Sequence, residues 1–140
     1  MPTIYVSQNG NSGTLKLRDS EGHNPGNDDL TTDVASGDTV TWVVDPNASG
    51  PNAIYSIESI TYSPPEDGPP PKYQGSTPVL YQTINGEKVV NGNAAKVNGV
   101  MTGYVDGGIA ADTIENYQIG YKKVQNGDTL YDDPRLKMTN

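Results

Sequence analysis

The chain has 140 residues, which fits one domain that removes roughly 68% of the unfolded chain's surface from water. Nine Lys and Arg residues against 17 Asp and Glu residues give a formal net charge of −8, and this field repels phosphate backbones and anionic lipids. The sequence contains no cysteine, which excludes disulfides, thiolate metal ligands and thiol nucleophiles. We therefore expect neither a nucleic-acid partner nor membrane insertion.

The start of the chain shows no signal-peptide pattern. Met1 leads directly into an alternating segment rather than a basic region followed by an apolar one, and no run of about 18 apolar residues occurs. The chain as given is predicted to be soluble. Its compartment stays open, because a mature extracellular protein and a cytoplasmic protein would both show this pattern.

Short alternating runs separated by turn residues predict an all-β protein. The 16 Gly and 11 Pro residues are dispersed between these runs. The first run, Thr3 to Gln8, is followed by a polar turn at residues 9–13 and by a second run, Thr14 to Arg18. This arrangement is typical of a β-hairpin.

The only tryptophan lies in a predicted strand from Asp38 to Val44. Alternation along this strand places Val40, Trp42 and Val44 on one face, because successive side chains of a strand point to opposite sides. Ser-Gly and Asp-Pro pairs, which favour turns, flank the strand. We expect Trp42 to be the largest side chain of the core.

The rest of the chain continues the pattern of strands and turns. Asn85-Gly86 is the strongest hairpin signal, residues 64–71 predict a stiff polyproline-like loop, and Ile109 to Asn116 is the only candidate for a short helix. The remaining predicted strands are Ile54–Tyr62, Val79–Ile84, Glu87–Val90, Val100–Val105, Tyr117–Val124 and Arg135–Thr139.

Eight or nine short strands at this spacing predict a single antiparallel Greek-key β-sandwich over residues 1–140. Long loops rich in Pro and Gly are expected between its strands. The predicted core contains Val40, Trp42, Val44, Ile119 and Leu136.

Three stretches resemble the cupredoxin family: Ser36 to Trp42 (SGDTVTW), Tyr117 to Tyr121 (YQIGY) and Arg135 to Thr139. In that family a histidine follows the first of these strands, and a cysteine, a second histidine and usually a methionine surround the last loop. The corresponding residues here, 47–53 and 122–134, contain neither histidine nor cysteine. A blue-copper site needs a thiolate and two imidazoles. The resemblance therefore implies a cupredoxin-like topology, with an immunoglobulin-like one as the alternative. The missing ligands exclude copper electron transfer.

No motif for catalysis is present, and we expect the protein not to be an enzyme. His23 is the only histidine and lies in a loop composition, so we predict a solvated loop residue. The sequence has no Gly-x-Ser-x-Gly elbow for a Ser-His-Asp hydrolase. A glycosidase needs paired carboxylates, but Glu58, Glu66, Glu87 and Glu115 have no motif that joins them, and we interpret them as surface acids.

Acidic loops offer a route to calcium, which takes six to eight oxygen ligands from carboxylates and carbonyls without a rigid motif. Turns also prefer Asp and Asn, so these residues have a second, purely structural explanation. No other cofactor is expected. The candidate calcium ligands are Asp28, Asp29, Asp33, Asp128, Asp132 and Asp133, and Asp106 with Asp112 forms a further acidic pair.

Nine tyrosines and no phenylalanine make the aromatic composition unusual. A tyrosine ring can pack on a core while its hydroxyl reaches water or a partner, which suits interfaces and sugar-binding surfaces. Tyr55, Tyr62, Tyr73, Tyr81 and Tyr104 lie in or beside predicted strand ends and loops. They either pack under loops or form a recognition surface.

Two functional hypotheses follow. The first is a non-enzymatic structural or interaction domain that binds itself or another protein, with self-assembly through sheet edges and tyrosine-rich faces. The terminal strands, Thr3 to Gln8 and Arg135 to Thr139, are the expected edges, and assembly is expected to strengthen with salt or calcium. The second is a lectin-like carbohydrate-binding module, assisted by calcium.

Overall fold

The computed structural model describes residues 2–10, 14–63 and 76–139. The predicted polyproline-like loop, Glu66 and Tyr73 lie outside these residues. The described residues form twelve strands and a 3₁₀ turn: β1 Thr3–Gln8, β2 Leu15–Asp19, β3 Thr31–Val34, β4 Thr39–Val44, the turn Gly50–Asn52, β5 Ser56–Tyr62, β6 Leu80–Ile84, β7 Glu87–Val89, β8 Ala95–Val97, β9 Val100–Val105, β10 Ile114–Lys122, β11 Thr129–Asp132 and β12 Arg135–Met138. No helix in these three ranges is long and apolar enough to span a bilayer.

The predicted all-β sandwich is confirmed. One sheet has seven strands in the order β2-β1-β4-β9-β6-β7, with β8 also paired to β9. The other has five strands in the order β11-β10-β12-β3, with β5 also paired to β10. The pairs β1/β4 and β3/β12 are parallel, so both sheets are mixed rather than purely antiparallel.

The core lies between the sheets and is centred on Trp42 and Tyr117. Trp42 Nε1–H donates to the Tyr117 hydroxyl across 3.1 Å, and the two rings meet edge to face with centroids 5.5 Å apart. Burial raises the pKa of the Tyr117 hydroxyl. Alternation places the predicted residues Val40, Ile119 and Leu136 in this core, as expected.

Two sequence predictions about local structure are wrong. Val44 shares the strand face of Trp42 but is 36% exposed, because β9 pairs with β4 only as far as Trp42 and does not flank Val44. Ile109 to Asn116 is not helical: it forms a turn, and β10 already begins at Ile114. A helix would remove the residues with which β10 pairs to β12.

The terminal strands are not sheet edges, contrary to the prediction. Strand β1 pairs with β2 on one side and β4 on the other, and β12 pairs with β10 and β3. Parallel pairing of each terminal strand with a strand distant in sequence gives it this interior position. Its backbone groups are therefore engaged on both sides within the domain.

Several true edges are covered by side chains or loops. At β3 the Asp33 N–H donates to Glu21 Oε1 across 2.9 Å, and at β5 the Tyr62 N–H donates to Asn93 Oδ1 across 2.9 Å. Three alternate N–H groups of β2 donate outside the sheet: Leu15 to Asp132 Oδ2 at 2.9 Å, Leu17 to the Asn27 carbonyl at 3.0 Å and Asp19 to the His23 carbonyl at 3.0 Å. Such coverage blocks strand addition.

Candidate functional site

Residues 82–90 form a hairpin that projects from the sandwich, and we call this segment the β-arm. Strand β6 starts against β9, where Leu80 pairs with Val105 and Tyr81 with Tyr104. Farther along β9, the same edge is occupied by β8, because β4 already pairs with the opposite edge. Beyond Tyr81, the ladders of the described residues pair β6 with β7 alone.

The arm turns at Asn85-Gly86, where both residues have positive φ, 52° and 81°. A two-residue turn with two positive φ values is the type I′ geometry that suits the twist of a β-hairpin. The predicted Asn85-Gly86 hairpin is therefore confirmed. The same signal at Asn98-Gly99, with φ of 52° and 83°, closes the β8/β9 hairpin, which sequence reasoning missed.

The β-arm is exposed along almost its whole length. Every residue from 83 to 90 is exposed, including Ile84 at 46% and Val89 at 39%. The register opposes Ile84 to Glu87 and Gln82 to Val89, so these four side chains share one face of the arm. That face presents apolar side chains to solvent.

The opposite face of the arm is tied to the sandwich by Lys88. Its Nζ lies 2.6 Å from Asp106 Oδ1 and 4.9 Å from the centre of the Tyr81 ring. The hydrogen bond between them raises the pKa of Lys88 and lowers the pKa of Asp106. Asp106 thus forms an ion pair with Lys88. Asp112, the other residue of the predicted acidic pair, has its Oδ1 3.9 Å from Lys137 Nζ.

The base of the arm is held by a buried carboxyl group. Glu115 on β10 is fully buried, and its Oε1 accepts hydrogen bonds from the Val79 N–H at 2.7 Å and the Leu80 N–H at 3.2 Å. Its Oε2 is buried without a hydrogen-bond partner among the described residues. Burial raises the pKa of Glu115 to about 8. The prediction that Glu115 is a surface acid is therefore wrong.

A hollow beside the base of the arm carries two of the predicted tyrosines. The rings of Tyr81 and Tyr104 lie 5.9 Å apart at an angle of 35°. The cavity has a volume of about 240 Å³, and its other lining residues are Gln82, Thr83, Ala95, Val97 and Thr102. Aromatic faces next to hydroxyl and amide groups are a suitable lining for a small polar ligand.

Two further tyrosines were predicted either to pack under loops or to form a recognition surface, and the structure separates them. Tyr55 is 53% exposed and lies away from the hollow, on the side of the sandwich lined by Val44 and Val100. Tyr62 is half-buried, and its hydroxyl donates to the Ser76 carbonyl across 2.9 Å. Tyr62 therefore packs under a loop, and Tyr73 lies outside the described residues.

Two of the six predicted calcium ligands meet in the fold. The carboxyl groups of Asp28 and Asp132 are hydrogen-bonded, and burial together with this contact raises the pKa of Asp132. The remaining four have other surroundings: Asp29 pairs with Arg135, Asp33 lies 4.0 Å from His23 Nε2, Asp133 donates its N–H to Asp132 Oδ1, and Asp128 precedes β11. Calcium binding at these residues stays a prediction.

His23 belongs to a hydrogen-bonded loop rather than to solvent alone. Its side chain is 41% exposed, and its Nδ1 lies 2.8 Å from the buried Asp19 carboxylate, which raises the pKa of His23. Asp19 also accepts from the His23 N–H, the Glu21 N–H and the Thr32 hydroxyl. Asp19, Glu21 and His23 bring ligand atoms within 4.8 Å of one another, but these bonds already satisfy Asp19. The cluster organises the loop between β2 and β3.

The comparisons with known proteins add no relative. No protein-family model matches this chain, and no curated protein matches it significantly. The cupredoxin resemblance thus rests on the quoted residues and stays a prediction.

Sequence reasoning misses two features that hold the arm in position. The Asn98-Gly99 dipeptide was a readable signal for the β8/β9 hairpin, which takes the edge of β9 away from β6. Glu115 precedes Tyr117 by two residues and so lies on the same strand face as Tyr117, Ile119 and Tyr121. Extending the predicted strand by two residues toward the N-terminus would have predicted its burial.

Proposed function

We propose that this protein is a non-enzymatic interaction domain that binds a polypeptide partner through the β-arm. The proposal is carried by the exposure of every residue from 83 to 90. A two-stranded hairpin alone is marginally stable in water, and it gains stability when further strands or a packed surface cover it. A partner that covers the arm would supply this stabilisation.

Exposed apolar side chains and an open strand edge support the same proposal. Ile84 and Val89 lie exposed on one face of the arm. Contiguous exposed apolar side chains are typical of protein interaction sites. The edges of β2, β3 and β5 are covered by side chains or loops, whereas the arm extends beyond the rest of its sheet. Strand addition is thus hindered at these three edges and open at the arm.

The test is a selection of binding fragments from a phage-displayed library of protein fragments, followed by affinity measurement. We expect Val89→Ser to weaken binding of the selected fragments at least tenfold, because Val89 lies on the apolar face of the arm. Val124→Ser is the matched control, since Val124 is 58% exposed but lies outside the arm. Fragments that bind Val89→Ser as tightly as the wild type would contradict the proposal.

The hollow beside the arm supports a second candidate function, carbohydrate binding. Two tyrosine rings 5.9 Å apart can contact the apolar face of a sugar, while Gln82, Thr83 and Thr102 offer polar groups to its hydroxyls.

A glycan array tests the carbohydrate candidate. We expect Tyr104→Ala to abolish binding of any glycan that the wild type retains, and Tyr55→Ala to leave it unchanged, because Tyr55 is exposed outside the hollow. An array on which the wild type retains no glycan, or retention that survives Tyr104→Ala, counts against this function.

A further inference from the structure

We propose that the partner of the β-arm is the arm of a second copy of this chain. The two β7 strands pair antiparallel about a two-fold axis at Lys88, which joins two hairpins into one four-stranded sheet. This inference rests on the proposed function and names its partner.

The backbone of β7 points the necessary groups outward. In a hairpin with a two-residue turn the residues that flank the turn exchange hydrogen bonds, and such pairs then alternate along the ladder. Ile84/Glu87 and Gln82/Val89 are therefore bonded pairs. The hydrogen bond from the Gly92 N–H to the Leu80 carbonyl, 2.9 Å long, lies one residue out of this register, so the alternation holds only over the length of β7. Consequently the N–H and C=O of Lys88 point away from β6.

An antiparallel copy of the same edge is complementary to it. With the axis at Lys88, that residue exchanges two hydrogen bonds with Lys88 of the second copy. On both sides of this pair the register sets Glu87 of one copy against Val89 of the other, which keeps the contact within β7. The interface is isologous and closes as a dimer.

The charge on Lys88 does not prevent this register. Two lysines directly opposite each other would repel. Here each copy brings its own counter-ion, because Asp106 Oδ1 lies 2.6 Å from Lys88 Nζ. The Glu87 side chain lies on the opposite face of the sheet from Lys88, so it does not contribute to this balance. The local charges are thus balanced across the axis.

The long-range charge sets the salt dependence. A net charge of −8 on each copy opposes association, and salt at 0.1 M screens charges farther apart than about 10 Å. The paired arms bring Ile84 and Val89 of both copies onto one face of the sheet. Four strands with an apolar face are more stable than two separate hairpins. The dimer should therefore strengthen as ionic strength rises.

Sedimentation equilibrium at several salt concentrations tests the pairing. We expect a monomer–dimer equilibrium that tightens with salt in the wild type. Lys88→Pro removes the outward N–H at the axis, and Lys88→Thr removes the same charge but keeps that N–H, so we expect the dimer of Lys88→Pro to be at least tenfold weaker than that of Lys88→Thr. A monomer at every salt concentration and at millimolar protein would overturn the inference.

Disulfide trapping tests the register independently of affinity. The chain has no cysteine, and bonded antiparallel partners have Cα atoms about 5.5 Å apart, which a disulfide can bridge. Lys88→Cys should therefore form a covalent dimer under mild oxidation, and Val124→Cys should not. Cross-linking at position 124 alone would place the contact elsewhere and refute the arm pairing.

The two proposals fail separately. If the purified chain stays monomeric but library fragments still lose binding to Val89→Ser, the second copy is the wrong partner and the arm remains the contact surface. If the dimer forms and survives both Lys88→Pro and Val89→Ser, the arm itself is the wrong surface.

Discussion

Glu115→Gln is expected to remove most of the pH dependence of the free energy of unfolding between pH 5 and 9. Glu115 is fully buried, and burial raises its pKa from 4.5 to about 8 in the folded chain. Its Oε1 accepts two N–H groups at the base of the β-arm, and glutamine keeps an acceptor oxygen for them. The variant therefore removes the titration while it preserves the tie between the sheets.

The sign follows from proton binding. Between pH 4.5 and 8 the folded chain holds a proton on Glu115 that the unfolded chain has lost, so unfolding becomes easier as pH rises through this window. Because of this group, the free energy of unfolding of the wild type at pH 7 is expected to be about 3 kcal/mol lower than below pH 4.5. Above pH 8 the loss levels off.

Urea unfolding followed by tryptophan fluorescence across this pH range measures the effect. Glu58→Gln is the matched control, because Glu58 is exposed on β5 and should leave the pH profile unchanged. The raised pKa values of Asp132 and His23 act in the same direction and will leave a residual slope in both variants. A profile for Glu115→Gln as steep as that of the wild type would contradict this account.

The elements that sequence patterns located well are those defined by local alternation. The bounds of β1 and β9 agree with prediction, and β4 begins one residue later than predicted. Trp42 is buried as expected, because its strand alternates between apolar and polar residues and turn residues mark both of its ends. Val44 shows the limit of this reasoning: alternation fixes which face a side chain takes, but only the tertiary structure fixes where the core ends.

The β-arm could be predicted as a hairpin but not as a projection. Asn85-Gly86 gives its turn from local sequence. Its separation from β9 depends on β8, which occupies the adjoining edge of β9 at Ala95 to Val97. That competition between two strands for one edge is a long-range property. The same holds for Asp28 and Asp132, which are far apart in sequence and meet only through the fold.

Gly92→Ala is expected to destabilise the fold by about 3 kcal/mol or more, the sum of left-handed backbone strain and overpacking. Gly92 has a φ of +77°, and a Cβ there would lie 2.7 Å from Tyr62 Cβ and 3.0 Å from Glu115 Oε1. Both neighbours are fixed, since Tyr62 is hydrogen-bonded to the Ser76 carbonyl and Glu115 is fully buried. Neither can move away cheaply.

Gly99→Ala separates the two contributions to that loss. Gly99 has a φ of +83°, but no atom lies within 4 Å of the position its Cβ would take. Its substitution should therefore cost only the backbone strain, about 1 kcal/mol. Urea unfolding of both variants at pH 6 measures the difference. Equal losses would show that the space around Gly92 relaxes freely, and that the contact of Gly92 with Tyr62 and Glu115 does not hold the base of the β-arm in place.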